Sequence, residues 1–283
     1  MFDEKSIYKN ATGPVPIRMT NDYLFKALLQ KNQRVLKELI CSLLFVSTDK
    51  VINVRIENPI ILGEKMDEKS VFLDVNVSFN NGELINLEMQ VVNEENWPER
   101  STYYACRNYS SLNKGDDYDE VMPVYQIGIL DFTPFDEHPK FYSRYMLSEV
   151  DNHYIYNDKF TVGTLDLTNI HLATDTDKAY NIDKWARLFK AQTWEDIKML
   201  AKQYEAIDDA ATTRYQISED DRIRYECWAR EDYEKRQRAL NRKLEQKDEI
   251  IRQDKEIIQQ SKETINDMAK RIAELEAKLA EKE

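Results

Sequence analysis

The chain has 283 residues, of which 33% are charged and 42% hydrophobic, and its formal net charge is −12. This length allows one sizeable domain and an appendage. The acidic balance argues against a protein that coats nucleic acid through a broad basic surface, because such binding neutralises many phosphates. It is compatible with an enzyme that meets a phosphate backbone through a metal ion and a local basic strip.

Membrane and secretory signals are missing from the pattern. The longest apolar run, residues 39–46, is too short to cross a membrane, and the N-terminus lacks the basic-then-apolar order of a signal peptide. Cys41, Cys106 and Cys227 are widely spaced and match no metal or redox motif. Free thiols in a reducing compartment are the simplest interpretation, so we expect a cytoplasmic protein.

Helical and strand patterns follow one another along the first 231 residues. The predicted elements are a loose arm (1–19), two helices (22–29 and 35–44), a strand (51–61), a charged loop (63–70), a hairpin (71–79 and 84–91), a helix (97–115), a buried strand (121–132), two weaker strands (141–147 and 159–167) and helical segments (178–209 and 218–231).

The predicted hairpin contains the polar residues that could bind a metal ion. The dipeptide at 81–82, Asn-Gly, favours a tight turn because both positions tolerate positive φ. On the second strand Asn86, Glu88 and Gln90 share one face, and the turn brings Asp74 near Glu88 or Gln90. Two carboxylates this close repel each other unless a cation lies between them, and Mg²⁺ suits such a pair. The same side chains could instead be solvated positions on a half-exposed hairpin.

The last 52 residues, 232–283, have a different pattern. They contain no Gly or Pro, and their 13 basic residues balance their 13 acidic ones, so the acidic excess lies in residues 1–231. One apolar series recurs every seven residues: Leu244, Ile251, Ile258, Ile265, Ile272 and Leu279. The intermediate series is Leu240, Lys247, Asp254, Ser261, Met268 and Leu275. The pattern predicts a coiled coil and a homodimer, and a single charged helix stabilised by i,i+4 pairs is the alternative.

Several segments, taken together, resemble a known family. They are residues 22–26 (Asp-Tyr-Leu-Phe-Lys), 73–75 (Leu-Asp-Val), 85–90 (Ile-Asn-Leu-Glu-Met-Gln), Arg100 with Tyr103 and Tyr104, 115–118 (Gly-Asp-Asp-Tyr) and 185–190. With the helix–strand–strand–strand–helix–strand order, this set resembles the PD-(D/E)XK nuclease superfamily. More closely, it is similar to the Rpn-type recombination-promoting nucleases, also described as PD-(D/E)XK nuclease family transposases. The resemblance covers roughly residues 18–195.

The resemblance implies an α/β fold: a restriction-endonuclease-like αβββαβ core with a mixed central sheet, followed by helices and the C-terminal coiled coil. We therefore expect a nuclease-like core with its arm at 1–175, a helical extension at 176–231 and the coiled coil at 232–283. The implied activity is metal-dependent cleavage of DNA, linked to recombination or to a mobile element.

The resemblance also implies roles for individual residues. Asp74 and Glu88 would hold Mg²⁺ or Mn²⁺, and Gln90 stands where the superfamily usually has a lysine. A glutamine can orient a water molecule by hydrogen bonding but brings no charge. The expected substrate-binding residues are Lys26, Arg100 and Tyr104, with Arg107 and Tyr103 as further candidates. Glu38, on the second helix, could supply another acid, although an ordinary exposed helix residue is the better expectation.

Two other functions compete with a nuclease. One is a nucleic-acid-binding relative whose weak site no longer cleaves. The other is an interaction module in which the coiled coil is the functional part and the acidic body is a scaffold.

Overall fold

The computed structural model describes residues 4–60, 62, 74–80, 82–110, 112 and 117–280. In this part of the chain six strands form one mixed sheet in the order β1-β2-β3-β4-β6-β5. The strands are β1 (Val54–Ile56), β2 (Val75–Phe79), β3 (Glu83–Gln90), β4 (Val124–Leu130), β5 (Tyr142–Ser148) and β6 (Ile155–Asp166). The predicted loop 63–70, strand residues 71–73, Asn81 of the turn and residues 113–116 lie outside the described residues.

Helices precede, interrupt and follow these strands along the chain. They are α1 (Asp22–Lys31), α2 (Gln33–Leu44), α3 (Trp97–Tyr109), α4 (Asp175–Ala179), α5 (Ile182–Lys190), α6 (Trp194–Ala201), α7 (Glu205–Ser218) and α8 (Asp221–Ala280). The order α1, α2, β1, β2, β3, α3, β4 confirms the predicted helix–strand–strand–strand–helix–strand series, with two helices at its start.

The strand pairing explains the mixed sheet. β1, β2 and β3 pair antiparallel, whereas β3, β4 and β6 run parallel. Parallel neighbours need a crossover connection, and α3 supplies the one between β3 and β4. Since β5 pairs antiparallel with β6 at the far edge, the two parallel ladders lie in the middle of the sheet.

The two faces of the sheet differ in polarity. One face buries apolar side chains against the N-terminal helices, and its members are Val75, Val77, Ile85, Leu87, Ile127 and Ile129. Residues in register point the same way, and alternate residues point to opposite faces. The other face therefore carries Asn76, Asn86, Glu88 and Gln126, which are polar, and α3 packs against it along β4 and β6.

The hairpin between β2 and β3 closes in a short loop. Phe79 pairs with Glu83, and the intervening Asn80 and Gly82 have φ angles of 48° and 106°. The amide of Gly82 donates to the carbonyl of Phe79 at 3.1 Å. Gly82 has the positive φ that the predicted turn requires, and a second positive φ falls on Asn80, one residue before the predicted Asn-Gly dipeptide.

The N-terminal segment departs from its prediction. It was predicted as a loose arm, but a 3-10 helix spans Glu4–Asn10, and Tyr8, Ile17 and Met19 are buried. The Tyr8 hydroxyl donates to Asp208 of α7, and the Val15 amide donates to the Gln192 carbonyl at 2.9 Å. The prediction was wrong because apolar residues without periodicity can still pack against a surface formed by later helices.

Two elements are shorter than predicted. The strand predicted at 51–61 is reduced to β1, three residues long. The helix predicted to end near residue 114 ends at Tyr109, where the Ser110 amide donates to the Cys106 carbonyl. The Ser110 hydroxyl also donates to the Arg107 carbonyl at 3.0 Å, and serine side chains that bond local carbonyls compete with helix propagation.

Capping boxes begin two helices, one just before the predicted helical region 178–209 and one inside it. Thr174 with Asp177 begins α4, and Thr193 with Asp196 begins α6. In each box the threonine hydroxyl and the aspartate carboxylate satisfy backbone N–H groups at the helix start. The Thr-x-x-Asp spacing is visible in the sequence and marks the helix starts that the apolar pattern alone did not.

The chain separates into two compact units, residues 1–234 and 235–283. Residues 176–231, predicted as a helical extension, pack into the same core as the sheet through α5 and α7. In the second unit, α8 continues as a single helix to Ala280, and the coiled coil remains a prediction. Among the described residues, none of the helices combines the length and apolar character needed to cross a membrane.

Candidate active site

The register of β2 and β3 places two carboxylates side by side. Val75 pairs with Leu87 and Asn76 with Asn86, so continuation of the ladder sets Asp74 opposite Glu88. Directly opposed residues project from the same face of a sheet. Asp74 is half-buried, whereas Glu88 is only 5% exposed. Asp74 is therefore the more accessible acid of the pair, and Glu88 is the buried one.

Asp74 is held at both its backbone and its side chain. Its carbonyl oxygen accepts from Lys26 Nζ at 2.9 Å and from Asn58 Nδ2 at 3.0 Å. Its carboxylate Oδ2 accepts from Asn86 Nδ2 at 2.6 Å. Asn58 also accepts from the amide of Asn76 at 2.9 Å, so its side chain fixes the first residues of β2.

Glu88 is an enclosed acid with a cationic partner. Arg100 Nη2 lies 2.6 Å from Glu88 Oε1, and Arg100 Nη1 lies 3.2 Å from Glu94 Oε2. Burial raises the pKa of Glu88 to about 7, the Arg100 charge opposes this shift, and the Asp74 charge adds to it. An acid with a pKa near neutrality and a second carboxylate beside it is characteristic of a functional site.

The burial of Glu88 depends on two residues that the sequence analysis did not single out. Gly128 pairs with Glu88 on β4, and a Cβ on Gly128 would lie 2.2 Å from the ring of Trp97. The indole of Trp97 therefore covers the strand beside Glu88, on the same face. A glycine inside an otherwise apolar strand is the signal that could have indicated this close approach.

Gln90 ends the row of polar side chains on β3. Its Nε2 donates to the Val92 carbonyl at 3.1 Å. Its Oε1 is buried, and among the described residues it has no hydrogen-bond partner. This carbonyl oxygen can accept a hydrogen bond from a water molecule or a substrate hydroxyl.

A family model, described as PD-(D/E)XK nuclease family transposase, matches residues 19–245. The chain belongs to this family. The matched region contains the whole sheet, the helices α1 to α7 and the first part of α8. Neither the curated proteins nor the solved structures contained a match to the chain.

Membership in the PD-(D/E)XK nuclease family transposases indicates a nuclease or transposase role. The observed mixed α/β sheet is consistent with that family's fold. The family assignment confirms the resemblance expected from the hairpin and its neighbours, and it extends the matched region beyond residue 195 into α8.

The residues expected to bind substrate occupy different environments. Lys26 is 3% exposed, burial lowers its pKa, and its ammonium group contacts the Asp74 carbonyl. Arg100 is engaged with Glu88, and its guanidinium lies 5.8 Å from the ring centroid of the half-buried Tyr104. Arg107 and Tyr103 are exposed on α3, where the ring of Tyr103 meets that of Tyr104 edge-on.

Glu38 lies within the helical packing of this family member. Its Oε2 accepts from the Tyr204 hydroxyl at 2.8 Å. Tyr204 immediately precedes α7, and the hydroxyl–carboxylate bond raises the pKa of the Tyr204 phenol in addition to burial. The contact gives Glu38 a structural role beside α7.

The side chains of the site suit one kind of metal ion and not another. In the part of the chain that the structure describes, no group of three or more His, Cys, Asp or Glu side chains could hold an ion. That composition does not suit a structural Zn²⁺ site, which takes four nitrogen or sulfur ligands. Asp74 and Glu88, with water and phosphate oxygens, do fit Mg²⁺, which is often bound through one or two carboxylates.

Proposed function

We propose that this member of the family is an endonuclease that hydrolyses DNA phosphodiesters with Mg²⁺ or Mn²⁺, linked to recombination or a mobile element. The observation that carries the proposal is that Asp74, directly before β2, lies near enough to Glu88 for its charge to act on that carboxyl, at the polar face of the sheet. The family assignment supports a nuclease, and the two-carboxylate donor set supports a hard divalent cation.

The proposed ligands are Asp74 and Glu88. When bound, the metal would supply Lewis-acid polarisation of the phosphate and a lowered pKa of water. In its absence Arg100 balances the charge of Glu88, because the enclosed carboxylate would otherwise be unpaired. Glu88 must be ionised to act as a ligand, so the local cation also favours the form that binds metal.

Gln90 is proposed to orient the attacking water. Its Oε1 is buried without a partner among the described residues and can accept one O–H of that water. A neutral amide neither removes a proton nor adds positive charge near the phosphorus. We therefore expect slower cleavage than a lysine at this position would give.

Substrate contacts are proposed on α3. Arg107 and Tyr103 are exposed there. Arg100 is paired with Glu88, and its guanidinium lies 5.8 Å from the centroid of the Tyr104 ring. Aromatic side chains can stack on bases, and Arg can pair with phosphates. Lys26 donates to the Asp74 carbonyl oxygen, and this contact supports a role in holding the backbone of Asp74. Phosphate binding by Lys26 remains a prediction.

A plasmid assay tests the proposed activity. Supercoiled DNA is incubated with purified protein and Mg²⁺, Mn²⁺ or a chelator, and nicked and linear products are measured. We expect metal-dependent nicking by the wild type and at least a 100-fold loss in Asp74→Ala and in Glu88→Ala. Asp151→Ala removes an exposed carboxylate in the β5–β6 loop and serves as the matched control. A wild-type protein that binds no divalent metal and leaves DNA intact contradicts the proposal.

The inactive-relative alternative predicts a different result in the same assay. Such a protein binds DNA, leaves it uncut under every metal condition, and loses binding in Arg107→Ala. The specific observation that favours keeping this alternative is Gln90, since the usual lysine is absent.

We also propose a homodimer through the C-terminal heptads, in a reducing, cytoplasmic setting. The support for the dimer is the row of apolar side chains along α8 that are about half exposed: Leu244, Ile251, Ile258, Ile265 and Ile272. The support for the setting is that Cys41, Cys106 and Cys227 are all free.

A further inference from the structure

Asn86 lies at the centre of the polar face without belonging to the proposed ligands. It pairs with Asn76 on β2 and with Gln126 on β4, two residues before Glu88 on its own strand. It is 2% exposed. A primary amide this deeply buried is costly unless its hydrogen bonds are made.

The contacts of Asn86 fix the orientation of its amide. Nδ2 donates to Asp74 Oδ2 at 2.6 Å and also to Asn76 Oδ1. The Asp74 carboxylate oxygen accepts from Asn86, so a flipped amide would direct Oδ1 at that oxygen and lose the bond. Asp74 therefore selects the orientation with the donor group directed at it, which leaves Asn86 Oδ1 buried without a partner among the described residues.

The contact also fixes which oxygen of Asp74 is engaged. Oδ2 accepts from Asn86, whereas Oδ1 has no donor among the described residues. The Asp74 backbone is held separately, by Lys26 and Asn58 on its carbonyl oxygen. The Asp74 carboxylate is thus oriented by a neutral donor, which adds no charge of its own.

We propose that Asn86 is a positioning residue, which holds the Asp74 carboxylate in the orientation that receives the divalent cation. This inference rests on the proposed function. The neutral amide matters, because it orients the carboxylate without placing a positive charge beside the metal. Outer partners of ligating carboxylates typically change metal affinity by about 10- to 100-fold when removed.

Direct binding of Mn²⁺ to the full-length protein, measured by calorimetry without DNA, is the primary test. Asn86→Leu keeps the approximate volume of the side chain and removes the donor. We expect its Mn²⁺ dissociation constant to rise by about 10- to 100-fold. The matched control is Ser78→Ala, which removes a polar group from the same face of β2 where it bonds Glu57, and its Mn²⁺ affinity should stay within twofold of wild type.

A kinetic measurement separates positioning from a purely structural role. In plasmid nicking, Asn86→Leu should raise the metal concentration needed for half-maximal rate more than it lowers the rate at saturating metal. Asn86→Ala is the second variant, used if the leucine does not fit, and circular dichroism with thermal unfolding reports whether each variant folds. A merely structural role lowers the unfolding temperature and leaves the Mn²⁺ affinity of the folded protein unchanged.

The outcomes distinguish this inference from the proposed function. If wild type binds Mn²⁺ and folded Asn86→Leu binds it within twofold, the positioning role is overturned while the proposed function stands. If wild type binds no metal, the proposed function fails and takes this inference with it. If neither Asn86 variant folds, the amide serves the fold, and that result also overturns the positioning role.

Discussion

At the residue scale, Glu88 couples folding to protonation. Its pKa is about 7 in the folded protein, above the ordinary carboxyl value of 4.5, chiefly because it is buried. The folded protein therefore holds this proton more tightly than the unfolded chain does. Its contribution to stability is fully present below about pH 4.5 and is lost as the pH rises through 7.

This coupling predicts a pH-dependent difference between two variants. Without metal, the unfolding free energy of wild type minus that of Glu88→Gln should fall by about 2 kcal/mol between pH 5 and pH 8. Urea unfolding at several pH values measures it, and using the difference cancels the other titrating groups. A difference that stays constant, or that rises with pH, would show that Glu88 is not held protonated by burial.

Some contacts of the site could be predicted from the spacing of residues in the sequence, and others could not. The alternation of β3 and the Asn-Gly turn were enough to predict that Asp74 lies near Glu88 or Gln90. Which of the two it opposes depends on the register, and the structure shows Phe79 paired with Glu83. Arg100 was expected to bind substrate, and its pairing with Glu88 was not foreseen, because it depends on how α3 crosses the sheet. Lys26 meets the Asp74 carbonyl across 48 residues of sequence, and no local pattern encodes that contact.

At the element scale, Gly128 sets how closely α3 approaches the sheet. The ring of Trp97 occupies the space that a side chain at Gly128 would need. Gly128→Ala should therefore displace α3 and lower the unfolding free energy by about 2 kcal/mol, within the range for overpacked cores. Thermal and urea unfolding measure the loss.

A second variant tests the cause of that loss. Trp97→Leu makes room beside β4, so adding Gly128→Ala to it should cost much less than Gly128→Ala costs alone. Equal costs in the two backgrounds would place the strain elsewhere. Since Trp97 covers the strand beside Glu88, metal affinity should also change in Trp97→Leu.

A partly buried ion pair joins the first part of α8 to α1. Arg230 Nε donates to both carboxylate oxygens of Asp22 at 2.9 and 2.7 Å, and the Asn21 side chain donates to the Cys227 carbonyl. Asp22 lies one turn before Lys26 on α1, and Lys26 contacts Asp74. The motif at residues 22–26 therefore joins α8 to the site.

Breaking this pair should destabilise the body of the protein. Arg230→Ala leaves Asp22 buried without its partner, so we expect a loss of about 3 kcal/mol in unfolding free energy. Arg222→Ala removes an exposed arginine from the same helix, 3.8 Å from Asp220, and should change stability little. Similar small losses in both variants would mean that Asp22 is solvated when Arg230 is removed.

The elements that could be predicted well from the sequence are those with a regular apolar repeat. The strands and helices with strong apolar repeats, such as α2 and β4, were predicted close to their observed positions. The segment 4–19 was not, because its burial depends on the surface that α6 and α7 provide. The end of α3 was misplaced because a serine side chain, rather than a glycine, ends the helix.

At the scale of the whole molecule, residues 235–283 form a separate compact unit, which we expect to mediate dimerisation. Stopping the chain after Gln246 keeps the family-matched residues and removes the heptads from 247 onward. We expect light scattering to report a dimer for the full chain and a monomer for the shortened one. An unchanged monomeric mass in both would contradict self-association.

A matched pair of point variants tests whether the heptad register causes the dimer. Ile257 and Ile258 are adjacent and similarly exposed, 59% and 54%, but only Ile258 belongs to the seven-residue series. Ile258→Lys should therefore weaken the dimer strongly, and Ile257→Lys much less. The interaction-module alternative further predicts that shortening removes the biological effect while Asp74→Ala keeps it.

The sequence alone determined the order of elements, the hairpin that brings Asp74 near Glu88 or Gln90, and the heptad series of the tail. These features depend on alternation, turn residues and periodicity, which act over a few residues. Only the tertiary structure decided that Arg100 neutralises Glu88, that Trp97 lies over Gly128, that Asn86 orients Asp74, and that residues 4–19 are packed. These are contacts between elements, and their geometry depends on how helices and strands pack around one core.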